Sequence, residues 1–367
     1  MNVAEQIVAQ LVDAGVHRIY GIVGDSLNPI VDAVRKTGGS KKGGIDWIHV
    51  RHEEAAAFAA SAEAQLTGKL AVCAGSCGPG NLHLINGLYD ANRTGAPVLA
   101  IASHIPSVQI GSTYFQETHP DRIFEECSVY NELISSAAQS PRTVNSAIRH
   151  AVGLGGVSVI TLPGDVSDLK AVEHVPTYAP ARPATLAPNP ADIDEAAALL
   201  NKADKVAIFA GAGVEGAHDE VIALADALKA PIGHSLRGKH FIQYDNPFDV
   251  GMTGLLGYGA AAEGMNDADV LILLGTDFPY DQFLPDTPTI QVDTHAEKLG
   301  RRTDVGLAIH AQVKPFIEAL LPHLRAGRSD SFLKSKIKKH SEIMHAPVGA
   351  YTRNVEKMRP IHPEYAA

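Results

Sequence analysis

Two adjacent glutamates followed by a run of alanines are the first residues of this sequence whose types suggest chemistry. The run RHEEAAAFAA, residues 51–60, comes directly after a strand-like segment that ends near Val50. A carboxylate placed where a strand passes into an apolar helix is shielded from water, and this shielding raises the pKa of the acid. The pattern therefore predicts a proton-handling acid at this point of the chain.

A glycine-rich turn, GSCGPG at residues 75–80, follows the next predicted strand and opens another helix. Three glycines in six residues suit a place where the backbone must approach another group closely. Cys73 and Cys77 have three residues between them and there is no second pair, so buried packing thiols are favoured over a metal site. None of the 17 histidines forms an HExxH or similar spacing, and the pattern predicts no metal site.

Two further polar loops follow predicted strands of the first half. Asp25 and Ser26 come after the strand at 17–23, at the end of a strand where open α/β sheets bind ligands. They either cap the next helix or take part in function, or both. The loop STYFQETHP, residues 112–120, carries Phe115 and Gln116 and is either a solvated connection or the wall of a site.

The second half contains GAGVEG at residues 211–216, a GxGxxG pattern between a predicted strand and a helix expected to run to about Leu228. Such a turn can receive a phosphate. An NAD site would need an acid roughly 20 residues on, but Arg237 and Lys239 stand there, which favours a different phosphate-bearing nucleotide. Asp293 closes another predicted strand and could accept hydrogen bonds from ribose hydroxyls.

Alternating strands and helices predict an α/β protein of two doubly wound parallel-sheet domains. The expected boundaries are 1–175 for the first domain, 176–190 for a proline-rich linker, 191–326 for the second domain and 327–367 for a charged, helical tail. A net charge of -10 argues against a nucleic-acid partner. Three cysteines and the lack of a long apolar run predict a cytoplasmic protein with reduced thiols.

Five runs together resemble the thiamine diphosphate (ThDP) enzymes of the pyruvate oxidase and acetolactate synthase group. They are RHEEAAAFAA, AVCAGSCGPGNLHLINGLYDA, FQETHP, SLRGKHFIQYDNPFDVGMTGLLG and LLGTDFP. The resemblance implies a ThDP pyrimidine-binding domain followed by a central FAD-binding, Rossmann-like domain. The family's third, diphosphate-binding domain carries a Gly-Asp-Gly motif with Mg²⁺ ligands, and this motif occurs nowhere in the sequence. We therefore expect a truncated form, with the closing IHPEY at the threshold of the absent domain.

The resemblance also implies roles for individual residues. Glu53 matches the catalytic acid that forms a hydrogen bond with N1′ of the aminopyrimidine. It is favoured for this role over Glu54, whose side chain should point elsewhere. The residues expected to border the aminopyrimidine are Ser76, Gly78, Pro79, Gly80, Asn81 and His83. Those expected to line the substrate pocket are Asp25, Ser26, Phe115 and Gln116. Those matching FAD-contacting stretches are Gly211, Gly213, Arg237, Met252, Thr253, Gly254, Leu255, Gly275, Thr276, Asp277, Phe278, Pro279 and Asp293.

The implied activity is oxidative decarboxylation of pyruvate to acetate and CO2, with ThDP, FAD and Mg²⁺ as cofactors and a quinone as electron acceptor. Oxygen as the acceptor is a variant. The alternatives are an acetolactate synthase-type carboligase and a non-catalytic cofactor-binding or dimerisation module. A homodimer or homotetramer is expected, with peripheral membrane contact only in a full-length parent. Because the family's active site needs the third domain, the chain alone is expected to be inactive.

Overall fold

The computed structural model describes residues 1–173, 178, 179, 184–352 and 357 of the chain. It divides into two compact units, Met1–Arg182 and Pro183–Ala367. The division falls within the predicted linker 176–190, of which residues 176, 177 and 180–183 lie outside the described part, as does the IHPEY sequence at 361–365.

The first unit is built on a six-stranded sheet in which every pair of neighbouring strands is parallel. Its strands are β1 (Arg18–Gly21), β2 (Asp46–His49), β3 (Ala71–Gly75), β4 (Val98–His104), β5 (Tyr130–Leu133) and β6 (Val157–Pro163). Their order across the sheet is β2-β1-β3-β4-β6-β5. Successive strands are added on opposite sides of β1, so the sheet has a topological switch point between β1 and β3.

Eight helices belong to the described part of this unit. They are α1 (Val3–Asp13), α2 (Asn28–Lys36), α3 (Glu53–Thr67), α4 (Pro79–Leu82), α5 (Ile85–Thr94), α6 (Pro120–Ile123), α7 (Ser140–Leu154) and α8 (Gly164–Asp168). The strands β3, β4 and β6 are buried along their whole length, as expected of parallel strands covered on both faces. β5 was not predicted, because it is a short strand at the edge of the sheet and is only partly buried.

The alanine-rich sequence of α3 lets two helices approach each other closely. α3 packs on α5 and on the strands β1 and β3, and apart from Glu53 its buried residues are alanines and one serine. At Gly87 of α5, an added Cβ would lie 2.5 Å from the Cβ of Ala57 and 2.6 Å from the backbone nitrogen of Phe58. Only a residue without a side chain fits at this crossing.

The second unit is a seven-stranded sheet in the order β10-β9-β8-β7-β11-β12-β13. The strands are β7 (Val206–Ala210), β8 (Ile232–His234), β9 (Asp249–Met252), β10 (Tyr258–Gly259), β11 (Val270–Leu274), β12 (Thr289–Asp293) and β13 (Leu307–His310). The helices are α9 (Pro190–Lys202), α10 (His218–Leu228), α11 (Lys239–Ile242), α12 (Ala261–Asn266), α13 (Val313–Leu320) and α14 (Ser331–Thr352). All strand pairs are parallel except β9 and β10.

The predicted fold class, two doubly wound α/β domains with parallel sheets, is thus confirmed. Residues 253–257 form the tip of the β9–β10 hairpin. Two local expectations differ from the structure. The helix after GAGVEG begins only at His218, because residues 212–214 form a 3-10 turn first. In the tail, the proline at position 347 predicts the end of the helix, but α14 continues past it. In the described part of the chain, every helix is too short or too polar to cross a bilayer.

Candidate active site

The loops that follow β1 and β3 meet at the switch point of the first sheet. Ser26 Oγ lies 2.9 Å from Ser76 Oγ, and it also accepts a hydrogen bond of 3.0 Å from the backbone N–H of Cys77. Gly24 packs so closely on Ser76 that an added Cβ would lie 2.3 Å from Ser76 Oγ. The loop of Asp25 and Ser26 and the glycine-rich turn 75–80 therefore form one surface at the carboxyl edge of the sheet.

Glu53 is the first residue of α3, and its carboxylate lies beside this surface. His52 precedes the helix, and its Nδ1 accepts a hydrogen bond of 3.2 Å from the backbone N–H of Glu54. The side chain of Glu53 is only 10% exposed, and its Oε2 lies 3.1 Å from Nδ1 of His83. The shielded acid expected from the strand-to-helix pattern is present in the fold.

The second carboxylate oxygen of Glu53 faces the glycine turn. A Cβ added at Gly80 would lie 3.3 Å from Glu53 Oε1 and 3.2 Å from Cβ of Ser76. A side chain at position 80 would fill the space in front of the acid, so the glycine keeps that space open. Gly78 has φ +67°, a left-handed conformation that glycine adopts without strain.

Glu54 takes a different direction from Glu53. Its Oε1 accepts a hydrogen bond of 2.6 Å from Nδ2 of Asn86 on the exposed side of α5. The two glutamates of the RHEE run therefore have separate surroundings, as the change of direction along a helix requires.

The amide of Asn81 is completely buried and connects the glycine turn to two neighbouring segments. Its Nδ2 donates to the backbone oxygen of Ser103 at 2.9 Å, and its Oδ1 lies 3.4 Å from Thr118 Oγ1. Ser103 Oγ donates in turn to the backbone oxygen of Ser26 at 2.7 Å. Neither Ser103 nor Thr118 was singled out in the sequence, because nothing in their local pattern shows that β4 and the 112–120 loop meet the turn here.

The four predicted substrate residues are not equivalent in the structure. Gln116 packs on the turn, since an added Cβ at Gly78 would lie 3.1 Å from Cβ of Gln116. Ser26 is engaged in the hydrogen bonds to Ser76 and Cys77, whereas Phe115 is 83% exposed. Asp25 is exposed and accepts a hydrogen bond from the N–H of Ser26 at 2.8 Å. The capping interpretation of Asp25 and Ser26 is wrong, because α2 begins at Asn28 and has no side-chain cap.

In the second unit, the predicted flavin-contacting residues all follow the carboxyl ends of strands in one sheet. Gly211 and Gly213 follow β7, and Arg237 follows β8. Met252 ends β9 and 253–255 follow it, while 275–279 follow β11 and Asp293 ends β12. The switch point of this sheet lies between β7 and β11, whose loops are adjacent.

The two glycine loops at this switch point pack against each other. The backbone N–H of Gly213 donates to the oxygen of Gly275 at 2.9 Å. An added Cβ at Gly211 would lie 2.3 Å from the same oxygen, and at Gly213 it would lie 2.6 Å from Cα of Gly275. These glycines are therefore required by the contact between the loops, and a nucleotide would have to lie over the loops and not between them.

The other predicted flavin-contacting residues differ in their exposure to solvent. Met252, Thr253, Thr276, Phe278 and Asp293 are buried, whereas Arg237, Leu255 and Pro279 are exposed. Gly254 contacts Phe278, because an added Cβ would lie 3.2 Å from Cζ of that ring. A buried aspartate, an exposed cation and an exposed hairpin tip therefore lie along one edge of this sheet.

Asp277 has two partners that the sequence analysis missed. Arg301 and Arg302 both bind its Oδ1 through Nε, at 3.2 and 3.3 Å, and Arg301 Nη2 contacts Oδ2. The sequence shows the pair RR, which begins eight residues after the end of β12. Its contact with Asp277, 24 positions earlier, depends on the order of the strands in the sheet.

The two folded units define a doubly wound α/β protein with a shielded glutamate at one switch point and glycine loops at the other. Residues 1–123 match the family model "Thiamine pyrophosphate enzyme, N-terminal TPP binding domain", and residues 193–320 match "Thiamine pyrophosphate enzyme, central domain". The chain belongs to the thiamine pyrophosphate enzyme family and contains its N-terminal and central domains.

Several proteins are similar over most of the chain. An "Uncharacterized 42.6 kDa protein in isoamylase 3'region" of Pseudomonas amyloderamosa is 54% identical over 90% of this chain and 83% of its own length. The "Putative thiamine pyrophosphate-containing protein YdaP" of Bacillus subtilis is 40% identical over 82% of this chain. "Pyruvate oxidase" of Lactiplantibacillus plantarum is 32% identical over 88%. The chain spans about half the length of the latter two relatives, 52% and 54%.

Proposed function

We propose that this chain forms the pyrimidine-binding and flavin-binding parts of a pyruvate:quinone oxidoreductase. The whole protein would convert pyruvate to acetate and CO2 and pass two electrons through FAD to a quinone. The observation that carries the proposal is the shielded Glu53 carboxylate, with one oxygen held by His83 and the other facing the open space at Gly80.

The residues of the first unit fit the aminopyrimidine end of ThDP. Glu53 would hold and exchange a proton with N1′ of the ring, and the space kept by Gly80 would admit the ring beside it. Gln116, against the turn, would border the substrate. When bound, ThDP supplies the carbon nucleophile that the protein itself lacks.

The residues of the second unit fit FAD. The carboxylate of Asp293 is buried at the end of β12, where it could accept from ribose hydroxyls, and it already accepts from the N–H of His295 at 2.9 Å. Arg237 offers an exposed positive charge at the same sheet edge for the diphosphate. The exposed Leu255 and Leu256 at the hairpin tip, 68% and 69%, would be covered by the flavin ring.

We further propose that the diphosphate and Mg²⁺ are held by a third domain and that the active site forms in a homodimer or homotetramer. An acetolactate synthase-type carboligase is the second candidate. The chain is 31% identical to "Probable acetolactate synthase large subunit" of Methanocaldococcus jannaschii, over 89% of its length. It is also 31% identical to "Acetolactate synthase isozyme 1 large subunit" of Escherichia coli, over 88% of its length.

Product analysis separates the two candidates. The chain is mixed with the diphosphate-binding domain of a relative, ThDP, Mg²⁺, FAD and pyruvate, with ferricyanide as acceptor. We expect acetate, CO2 and reduced ferricyanide. Acetolactate without reduction of the acceptor would favour the carboligase, and neither product together with no bound flavin would contradict both.

Glu53→Gln and Glu54→Gln are a matched pair for the role of the acid. E53Q should lower the rate by about 10²–10⁴-fold, the usual contribution of a general acid or base. E54Q should leave it near the wild-type rate, because the Glu54 carboxylate is bound to Asn86 outside the turn.

A further inference from the structure

Two imidazoles and one carboxylate meet at the start of α3. One ligand atom from each of His52, Glu53 and His83 lies within 4.8 Å of the other two, and this is the one such group of three among the described residues. His83 and Glu53 are already in contact at 3.1 Å, and the rings of His52 and His83 stack with centroids 4.3 Å apart and planes 27° apart. The carboxylate is 10% exposed, while the imidazole of His83 is 45% exposed.

The types of these ligands select a class of metal ion. Two imidazole nitrogens with one carboxylate oxygen suit Zn²⁺, Co²⁺, Ni²⁺ and Cu²⁺, whereas Mg²⁺ and Ca²⁺ prefer oxygen ligands. We propose that His52, Glu53 and His83 form a binding site for one divalent transition-metal ion, of which Zn²⁺ is the typical case. The remaining positions around the ion would be taken by water from the open side.

The distances are close to what a single ion requires. With metal–ligand bonds of about 2.0–2.1 Å, two ligands of one ion can be at most roughly 4.2 Å apart. The contact between Glu53 and His83 is within this limit, and the longest separation in the group exceeds it by less than 1 Å. Both imidazoles are exposed, and binding of one ion by all three groups would require an imidazole ring to turn toward the carboxylate.

The present contacts of the three side chains are compatible with this change. The ion would lie where His83 Nδ1 and Glu53 Oε2 now form their hydrogen bond of 3.1 Å. His52 can keep its Nδ1 on the N–H of Glu54, which caps α3, and bind the metal through Nε2. The sequence pattern could not reveal this site, because His83 is 30 residues away from Glu53.

One consequence rests on the proposed function. Glu53 is the acid that would form a hydrogen bond with the aminopyrimidine of ThDP, so a metal ion bound to its carboxylate would exclude that ring. The metal and the pyrimidine end of ThDP should therefore compete for the same residue.

The site is tested first without any cofactor. The purified chain is titrated with Zn²⁺ by calorimetry and with Co²⁺ by visible absorbance, whose ligand-field bands report nitrogen coordination. We expect one ion per chain, and a loss of affinity of at least about tenfold in H52A, H83A and E53Q, since loss of one ligand removes a large part of the binding free energy. His17→Ala, which removes an exposed histidine of the same unit outside the group, should leave the affinity unchanged.

Far-UV circular dichroism checks that each variant is folded. Absence of saturable binding in the wild-type chain, or binding of the same strength in H52A and H83A, would overturn the proposal. The His52 and His83 side chains are exposed, so these variants should fold, and E53Q is the additional variant that keeps the size of the buried side chain.

A second titration separates the metal site from the proposed function. Co²⁺ is titrated in the presence of thiamine, which lacks the diphosphate that would chelate the ion. Weaker Co²⁺ binding with thiamine supports both ideas. Unchanged binding leaves the metal site standing and contradicts the placement of the aminopyrimidine at Glu53.

Discussion

The crossing of α3 and α5 gives the sharpest test of how the fold positions Glu53 and His83. Glu53 is the first residue of α3 and His83 lies two residues before the start of α5, so the spacing of the two helices influences the spacing of these side chains. Gly87→Ala adds a methyl group where the nearest atoms, Ala57 Cβ and Phe58 N, would be 2.5 and 2.6 Å away. Ordinary contacts begin near 3.4 Å, so the helices would have to separate by roughly 1 Å.

The size of the effect follows from two opposing contributions. Replacing glycine by alanine inside a helix is worth up to about 1 kcal/mol in favour of folding. Overpacking of a close-packed core costs about 1–3 kcal/mol, and a contact with backbone atoms on a second helix belongs at the upper end of that range. We therefore expect G87A to lower the free energy of unfolding of the first unit by about 2 kcal/mol.

Urea denaturation followed by the fluorescence of Trp47 measures this change. Trp47 is the only tryptophan of the chain and lies in β2, so its signal reports on the first unit. Gly153→Ala is the matched control, because Gly153 is in α7 of the same unit and an added Cβ would meet nothing within 4 Å. G153A should be neutral or stabilising by up to about 1 kcal/mol. Equal stability of G87A and G153A would refute the close crossing.

Three further predictions concern titratable groups. Burial lowers the pKa of His104 below its ordinary value of 6.5. The unfolded chain therefore takes up the proton first, and the first unit should lose stability as the pH falls below about 6.5. Urea midpoints measured by Trp47 fluorescence should fall less with pH in H104Q than in the wild-type chain, and identical pH profiles would contradict this. Lys336 is buried between Glu263 at 2.7 Å and Asp267 at 2.5 Å, and both acids are about half exposed. The double variant E263Q/D267N should therefore lower the free energy of unfolding by about 3 kcal/mol, and K336M should lower it by only about 1 kcal/mol, because hydrated acids tolerate the loss of a partner better than a buried ammonium does. Urea unfolding followed by circular dichroism measures both changes, and a larger loss in K336M would refute this asymmetry. Burial raises the pKa of Cys73 to about 12 and that of Cys127 to about 11, so a disulfide thiol reagent at pH 8 should modify these thiols only after urea is added, and rapid reaction of both in the native chain would disprove their burial.

The sequence determined the class of fold because the signals are local. Continuous apolar runs such as β4 and β6 have the composition of parallel strands covered on both faces, and β11 lies where its apolar run begins and ends. Elements with a weak local pattern were not predicted. β5 is a four-residue edge strand with partly buried residues, and the β9–β10 hairpin has only two residues in its second strand, so neither has enough of a pattern to be found.

The candidate site was predicted in part. The pattern of a strand followed by RHEEAAA is enough to indicate a shielded acid, and the glycine turn indicates open space near a ligand. What lies beside each group depends on the order of the strands. The partners of Glu53, Asn81 and Asp277 come from segments that are 22 to 37 residues away along the chain.

By itself, the sequence determined which residues could do chemistry and which strands carry them, because polarity, glycine content and periodicity are properties of short segments. Only the tertiary structure decided that Phe115 faces solvent while Gln116 packs on the turn, that the glycines of GAGVEG pack on Gly275, and that His52 and His83 stack beside Glu53. These contacts follow from the sheet order β2-β1-β3-β4-β6-β5 and its counterpart in the second unit. That order is set by burial across the whole domain and leaves no mark in any single stretch of residues.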